Sequence, residues 1–126
     1  MSGLRTLDEG RAAALEALCE LIVPGSSRVG SVVYVDAALT GMPPGVREHA
    51  LEAIDELAPA AAEGADALAE HERTPAFALV RALAIEAYYS DFVAPGSEGP
   101  GAWDEIDFNS PLARRLAKDW SYLGIA

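Results

Sequence analysis

One cysteine, two histidines and few basic side chains occur in the sequence, and each scarcity excludes a class of protein. Cys19 has no second cysteine to pair with, so no disulfide forms within the chain. It falls on the apolar side of a predicted helix, where an inert buried thiol is expected rather than a nucleophile. With 9 Lys and Arg against 20 Asp and Glu, the net charge is −11. No nucleic-acid partner is therefore expected, because phosphate binding requires a basic surface.

Long apolar runs and nucleotide-binding motifs are also missing. No run of eighteen apolar residues exists, so we expect no direct membrane insertion. The N-terminus shows neither an apolar signal core nor a twin-arginine motif, and the expected location is cytoplasmic, with export on a partner left open. There is no G-x-G-x-x-G, G-x-x-x-x-G-K-[ST], C-x-x-C or H-E-x-x-H pattern. We therefore expect no cofactor or metal to be bound by this chain alone.

The residues that are abundant favour helices. Ala, Leu, Glu and Arg dominate, and β-branched residues are scarce outside 29–35. The 126 residues are enough for one domain, 1–126. The predicted fold is all-α: a small bundle of about four to five helices, with a long irregular, aromatic-containing loop near the C-terminus.

Turn and capping residues divide the first half. Thr6 to Glu9 has the form of a capping box, which predicts a helix over about 7–22, stopped by Pro24-Gly25. Residues 24–30 are then a loop. Ser31 is the expected N-cap of a short helix that runs through Leu39, although the run of residues 32–35 is equally compatible with a strand.

Prolines set most of the remaining boundaries. A third helix is expected from about Pro44, with a kink or an end at Pro59, and 60–70 is expected to continue helically. Thr74-Pro75 predicts the start of a helix over about 75–90, because threonine caps and proline fits the first turn. Ser110-Pro111 repeats this signal for a last helix to about residue 118.

The two histidines each lie beside glutamates, and His49 with Glu52 shares one helix face. Such a pair can orient an imidazole for general base catalysis. The same spacing arises on any acidic surface helix, so surface histidines are the preferred interpretation for His49 and His71. A separate hypothesis is a small acid/base enzyme that uses either histidine.

Aromatic residues are concentrated at the end of the 75–90 helix and in the loop 91–109. Such side chains either anchor a protein interface or attach the loop to this chain's own core. The sequence leaves both possibilities open. The partner-interface candidates are Tyr88, Tyr89, Asp91, Trp103, Phe108 and Trp120.

Three segments together carry the pattern of a known family. Residues 18–25, Leu-Cys-Glu-Leu-Ile-Val-Pro-Gly, contain an L-x-x-x-I-[IV]-P helix stop, and 34–39 fit [FY]-[IV]-D-x-x-L. Tyr88-Tyr89-Ser90-Asp91 stands in place of G-Y-Y-S-D-P, with Ala87 for the usual glycine and Phe92 for the usual proline. In these segments the chain resembles the gluconate 2-dehydrogenase subunit 3 family, at low identity over most of its length.

The resemblance implies a small subunit that accompanies a large flavoprotein of the glucose–methanol–choline type. In such complexes the large subunit holds FAD and oxidises a sugar, sugar acid or polyol. The small subunit supports its folding, stability or export, and no catalytic residues come with the motifs. We therefore expect a non-catalytic subunit whose partner is the large FAD-containing oxidoreductase subunit. The alternative is a stand-alone helical binding module, or a homodimer, for a small apolar ligand.

Overall fold

Helices make up every regular element of the part of the chain that the computed structural model describes, residues 4–90, 92–97, 101 and 123–124. This confirms the predicted all-α class, and the strand alternative for 32–35 is wrong. The elements are α1 (Glu9–Ile22), α2 (Ser26–Val29), α3 (Ser31–Thr40), α4 (Pro44–Glu63), α5 (Ala65–Ala69) and α6 (Pro75–Tyr89). The expected last helix, at about 111–118, lies outside the described residues.

The predicted capping box at the start of α1 is wrong. Asp8 is the N-cap, and its Oδ1 accepts the backbone N–H of Arg11 at 2.8 Å. The hydroxyl of Thr6 lies 2.6 Å from that of Thr40 instead. Because Thr40 donates its own proton to the carbonyl of Asp36, Thr6 is the donor in this pair. A contact with α3 thus replaces the local cap.

The expected loop 24–30 contains the single helical turn α2, so this prediction was also wrong in part. Gly30, with φ of +71°, occupies the N-cap position of α3, for which the sequence predicts Ser31. Ser31 is buried at 1% exposure. Two helices meet at this glycine because it adopts a left-handed backbone conformation at little cost.

In the second half of the chain, Pro59 does not end its helix, whereas Gly64 separates two helices. A kink or an end is expected at Pro59, and the end is not observed, since α4 continues through Pro59 to Glu63. Gly64, with φ of +113°, separates α4 from α5 and interrupts the helix predicted over 60–70. The start of α6 is as predicted: the Thr74 hydroxyl accepts the N–H of Phe77 at 3.1 Å, and Pro75 follows in the first turn.

The core lies where α4 packs against α1 and α6, with α3 packed against α6 and α1. The buried side chains of α4 recur at intervals of three and four residues, as one helix face requires. Most of them are alanines, which allows the neighbouring helices to approach closely. They are Ala50, Ala53, Ile54, Leu57, Ala60 and Ala61. None of the described helices is both long and apolar enough to cross a membrane.

A buried carboxylate joins α3 to the segment that precedes α1. Asp36 is only 3% exposed. Its Oδ1 accepts the N–H groups of Thr6 and Leu7, and its Oδ2 accepts that of Arg5, each at 2.9 Å. A carboxylate is costly to bury unless hydrogen bonds replace its water, and these three donors do so.

A salt bridge joins α1 to α4 at the surface. Arg11 donates from Nε and Nη2 to the two carboxylate oxygens of Asp55, at 3.0 and 2.8 Å. The hydrogen bond from Arg11 lowers the pKa of Asp55. Both side chains are partly exposed, so this pair adds at most about 1 kcal/mol.

Asp36→Asn should reduce the free energy of unfolding by about 2–4 kcal/mol, because hydrogen bonds to a charged group are worth about 1.5–3 kcal/mol each and an amide presents its own N–H groups to backbone donors. Urea denaturation followed by circular dichroism measures the loss. Asp8→Asn is the matched control, since asparagine caps a helix about as well as aspartate. Equal stability of the two variants would show that the Asp36 contacts do not determine the position of the N-terminal segment.

Candidate partner-contact surface

The chain after α6 folds back onto the turn between α2 and α3. The N–H of Ala94 donates to the carbonyl of Val29 at 2.8 Å. Phe92 is fully buried and meets the ring of Tyr34 edge-on, with centroids 5.4 Å apart. We refer to residues 92–97 as the return loop. Phe92 and Ala94 of this loop are buried in this chain's own core, which holds the end of α6 close to the turn between α2 and α3.

Two glycines allow this close approach. A Cβ at Gly30 would lie 2.5 Å from the Cβ of Ala94, which is too close for two carbon atoms. A Cβ at Gly25 would lie 3.1 Å from the hydroxyl of Tyr88, and Gly25 also has a positive φ of 101°. Gly30 therefore needs glycine for backbone conformation and for space, and Gly25 needs it for backbone conformation.

Glu20 fixes the turn that follows α1. Its carboxylate accepts the N–H groups of Gly25 at 2.8 Å and of Ser27 at 3.0 Å. It thereby supplies the acceptor that a side-chain cap would otherwise give to the start of α2. The hydrogen bond from Gly25, followed by that from Ser27, lowers the pKa of Glu20.

The adjacent tyrosines of the candidate set face different environments. Tyr88 is 2% exposed, whereas Tyr89 is 48% exposed. Their rings are nearly perpendicular, at 86°, with centroids 5.2 Å apart. Tyr88 thus packs inside the bundle, and the face of α6 around Tyr89 is the part of the pair that can contact a partner. The apolar stripe through Val80 and Ala84 continues to Tyr88, a signal that the sequence already contained.

The other candidates cannot be located in the same way. Asp91, Trp103, Phe108 and Trp120 lie outside the described residues. Their assignment to an interface therefore stays a prediction.

A groove between α4 and α6 brings one of the histidines next to two glutamates. His49, Glu52 and Glu56 form its exposed α4 side, and Ala53, Ala76 and Leu79 lie in its apolar floor beside Pro75. Its volume is about 210 Å³. We call this feature the α4/α6 groove. His71 does not contribute to it; its carbonyl accepts the backbone N–H and the hydroxyl of Thr74 at 2.9 and 2.7 Å.

Cys19 is buried at 1% exposure, and burial raises the pKa of its thiol to about 12. A cavity of about 40 Å³ lies beside it and Ser31, close to the space of one water molecule, roughly 30 Å³. Burial thus favours the neutral thiol, as expected of a structural cysteine. Within the described ranges, no group of three or more His, Cys, Asp or Glu side chains is placed to hold a metal ion.

Comparison with known proteins gives no relative. No protein-family model matches the chain, and neither curated proteins nor solved structures yield a significant match.

Gly30→Ala should lower the free energy of unfolding by about 2–4 kcal/mol, from the left-handed backbone and from the clash with Ala94 together. Gly96→Ala is the matched control, because Gly96 also has a positive φ, 88°, but open space around its Cα. It should cost only about 1–2 kcal/mol. Hydrogen exchange at the Ala94 amide should accelerate more in Gly30→Ala. Equal exchange in both variants would contradict the proposed tight packing of the return loop.

Glu20→Gln should lower stability by about 0.5–1 kcal/mol at pH 7, because a neutral amide oxygen accepts less strongly than a carboxylate. The pKa of Glu20 is lower in the folded than in the unfolded chain. Its contribution is therefore full well above the ordinary glutamate pKa of about 4.3 and disappears as the pH falls through the folded value. Wild type and variant should converge in acid when urea denaturation is repeated across pH. Glu16→Gln, one turn earlier on α1, is the matched control, because it removes the same type of charge without removing the hydrogen bonds to Gly25 and Ser27.

Proposed function

We propose that this chain is the non-catalytic small subunit of an FAD-dependent oxidoreductase of the glucose–methanol–choline type. The large subunit binds FAD and oxidises a sugar or polyol. The small subunit binds the folded large subunit and thereby supports its folding, stability or activity. A partner that binds only the folded state shifts the folding equilibrium by mass action, and no catalytic group is needed for this effect.

The observation that best supports the proposal is the meeting of the segments that carry the family resemblance. Gly25 ends the first segment, and its Cα faces the hydroxyl of Tyr88 in the last. Tyr34 of the middle segment contacts the ring of Phe92, which follows the last. Residues more than fifty positions apart thus form one structural unit, as expected of motifs that specify a common fold.

Tyr89 gives the proposal a contact point. Among the described residues, only Tyr89 and Val46 are large hydrophobic side chains that are strongly exposed. The ring of Tyr89 rests against that of buried Tyr88, which limits its freedom before any partner binds. An aromatic side chain held in this way is suited to anchor an interface, because less conformational entropy is lost on binding.

Co-expression with a glucose–methanol–choline-type flavoprotein from the same gene neighbourhood tests the proposal. Size-exclusion chromatography, with absorbance read at protein and flavin wavelengths, should show one yellow complex that oxidises its substrate. Omission of this chain should leave the large subunit insoluble or inactive. Separate elution with full activity in the large subunit alone, or a gene neighbourhood without such a flavoprotein, would favour the stand-alone binding module.

Tyr89→Ala should weaken the complex by roughly thirtyfold, on the order of 2 kcal/mol, as expected for the loss of a central anchor. Thermal melting of the isolated variant should stay within a few degrees of wild type, because Tyr89 is half exposed. Val46→Ala, at 51% exposure near the start of α4, is the control and should leave affinity unchanged. An equal effect of both substitutions on affinity would show that Tyr89 is not the anchor of the interface.

A further inference from the structure

The α4/α6 groove has the size of a side-chain site. Its volume of about 210 Å³ falls below the roughly 300–1,000 Å³ of ordinary small-molecule sites. The floor is apolar and partly open: Ala76 and Leu79 are half-buried, and Ala53 is buried. Such a depression fits one large apolar side chain of a protein, in the way that interface anchors enter shallow pockets.

The charge around the groove selects the kind of partner. Residues 44–74 contain eight Asp and Glu, of which Asp55 is paired with Arg11, and two arginines, Arg47 and Arg73. Arg47 is directed elsewhere, since its guanidinium donates to the carbonyls of Leu39, Thr40 and Met42 at 2.9–3.2 Å. Glu52 and Glu56 are exposed on the α4 side of the groove. Their negative potential therefore faces whatever enters it.

We propose that the α4/α6 groove binds a protein segment in which one large apolar residue is flanked by arginine or lysine. The apolar residue enters against Ala76 and Leu79, and the basic side chains lie along Glu52 and Glu56. Charges at the rim speed association and select against acidic partners, and the apolar anchor supplies most of the affinity. This inference goes beyond the function proposed above and does not depend on a flavoprotein, because the groove is tested with peptides alone.

Three synthetic peptides of twelve residues test the inference by titration into the ¹⁵N-labelled full chain. The first has a central leucine flanked by arginines, the second replaces the arginines by glutamates, and the third replaces the leucine by serine. The first should shift the amide signals of Ala53, Ala76 and Leu79 with a dissociation constant of about 1 mM or tighter. The other two should bind at least about tenfold more weakly, since the second lacks the basic residues and the third lacks the apolar anchor.

A double charge reversal tests the location. Glu52→Lys with Glu56→Lys should weaken the first peptide by about tenfold or more, because like charges then face each other across the contact. Glu48→Lys with Glu63→Lys is the matched control: both residues are exposed on α4 and neither lines the groove. The control should stay within about threefold of wild type. Circular dichroism verifies that both double variants fold.

Any one of four outcomes would overturn the inference. In the first, the leucine–arginine peptide gives no saturable shifts. In the second, the serine peptide binds equally well, which indicates general charge attraction. In the third, both double variants lose affinity equally. In the fourth, the chain self-associates and the Glu52→Lys, Glu56→Lys variant does not. The occupant of the groove would then be a second copy of this chain rather than a basic partner. None of these results bears on co-elution with a flavoprotein, so the two proposals fail separately.

Discussion

The carboxylate of Asp36 is the constraint on which the N-terminal half depends. It lies on α3, is almost fully buried, and accepts three backbone N–H groups from residues 5–7. A carboxylate buried without these donors would cost several kcal/mol, and the N–H groups would also lose their partners. The position of the segment before α1 therefore depends on its hydrogen bonds to α3, whereas α3 is also held by its packing against α1 and α6. Leu7, which follows directly, is buried in the core, so apolar packing depends on the same contact.

The position of α3 in turn determines where the end of α6 is held. Gly30 begins α3 and leaves room for Ala94, and Tyr34 one turn later receives the ring of Phe92. Glu20 holds the preceding turn from the other side through Gly25. The result is a rigid joint between the first and last described helices. The aromatic pair at the end of α6 is positioned by this joint, with Tyr88 inside the bundle and Tyr89 on its surface.

Local signals in the sequence predict most helix boundaries, because capping and proline chemistry acts within one turn. Thr74-Pro75 and Pro44 are correct for this reason. The capping box at Thr6 is wrong because a distant acceptor, Asp36, and the hydroxyl of Thr40 compete for the same groups. A single sequence does not reveal such contacts across thirty residues. An acidic residue inside the apolar run of α3 is nevertheless a signal of a buried polar tie. The groove was not predictable either, since it requires the relative placement of α4 and α6.

The two surfaces that concern partners lie at opposite ends of α6. Leu79 and Tyr89 are ten residues apart, which corresponds to about 15 Å along the axis and to a rotation of about 80° around it. A standard interface buries about 800 Å² on each partner and is wide enough to include both. A rotation of about 80° is also within the roughly 100° width of one helix face. Neither the distance nor the rotation therefore forces the two surfaces onto separate partners, and binding experiments on each surface decide whether one partner covers both.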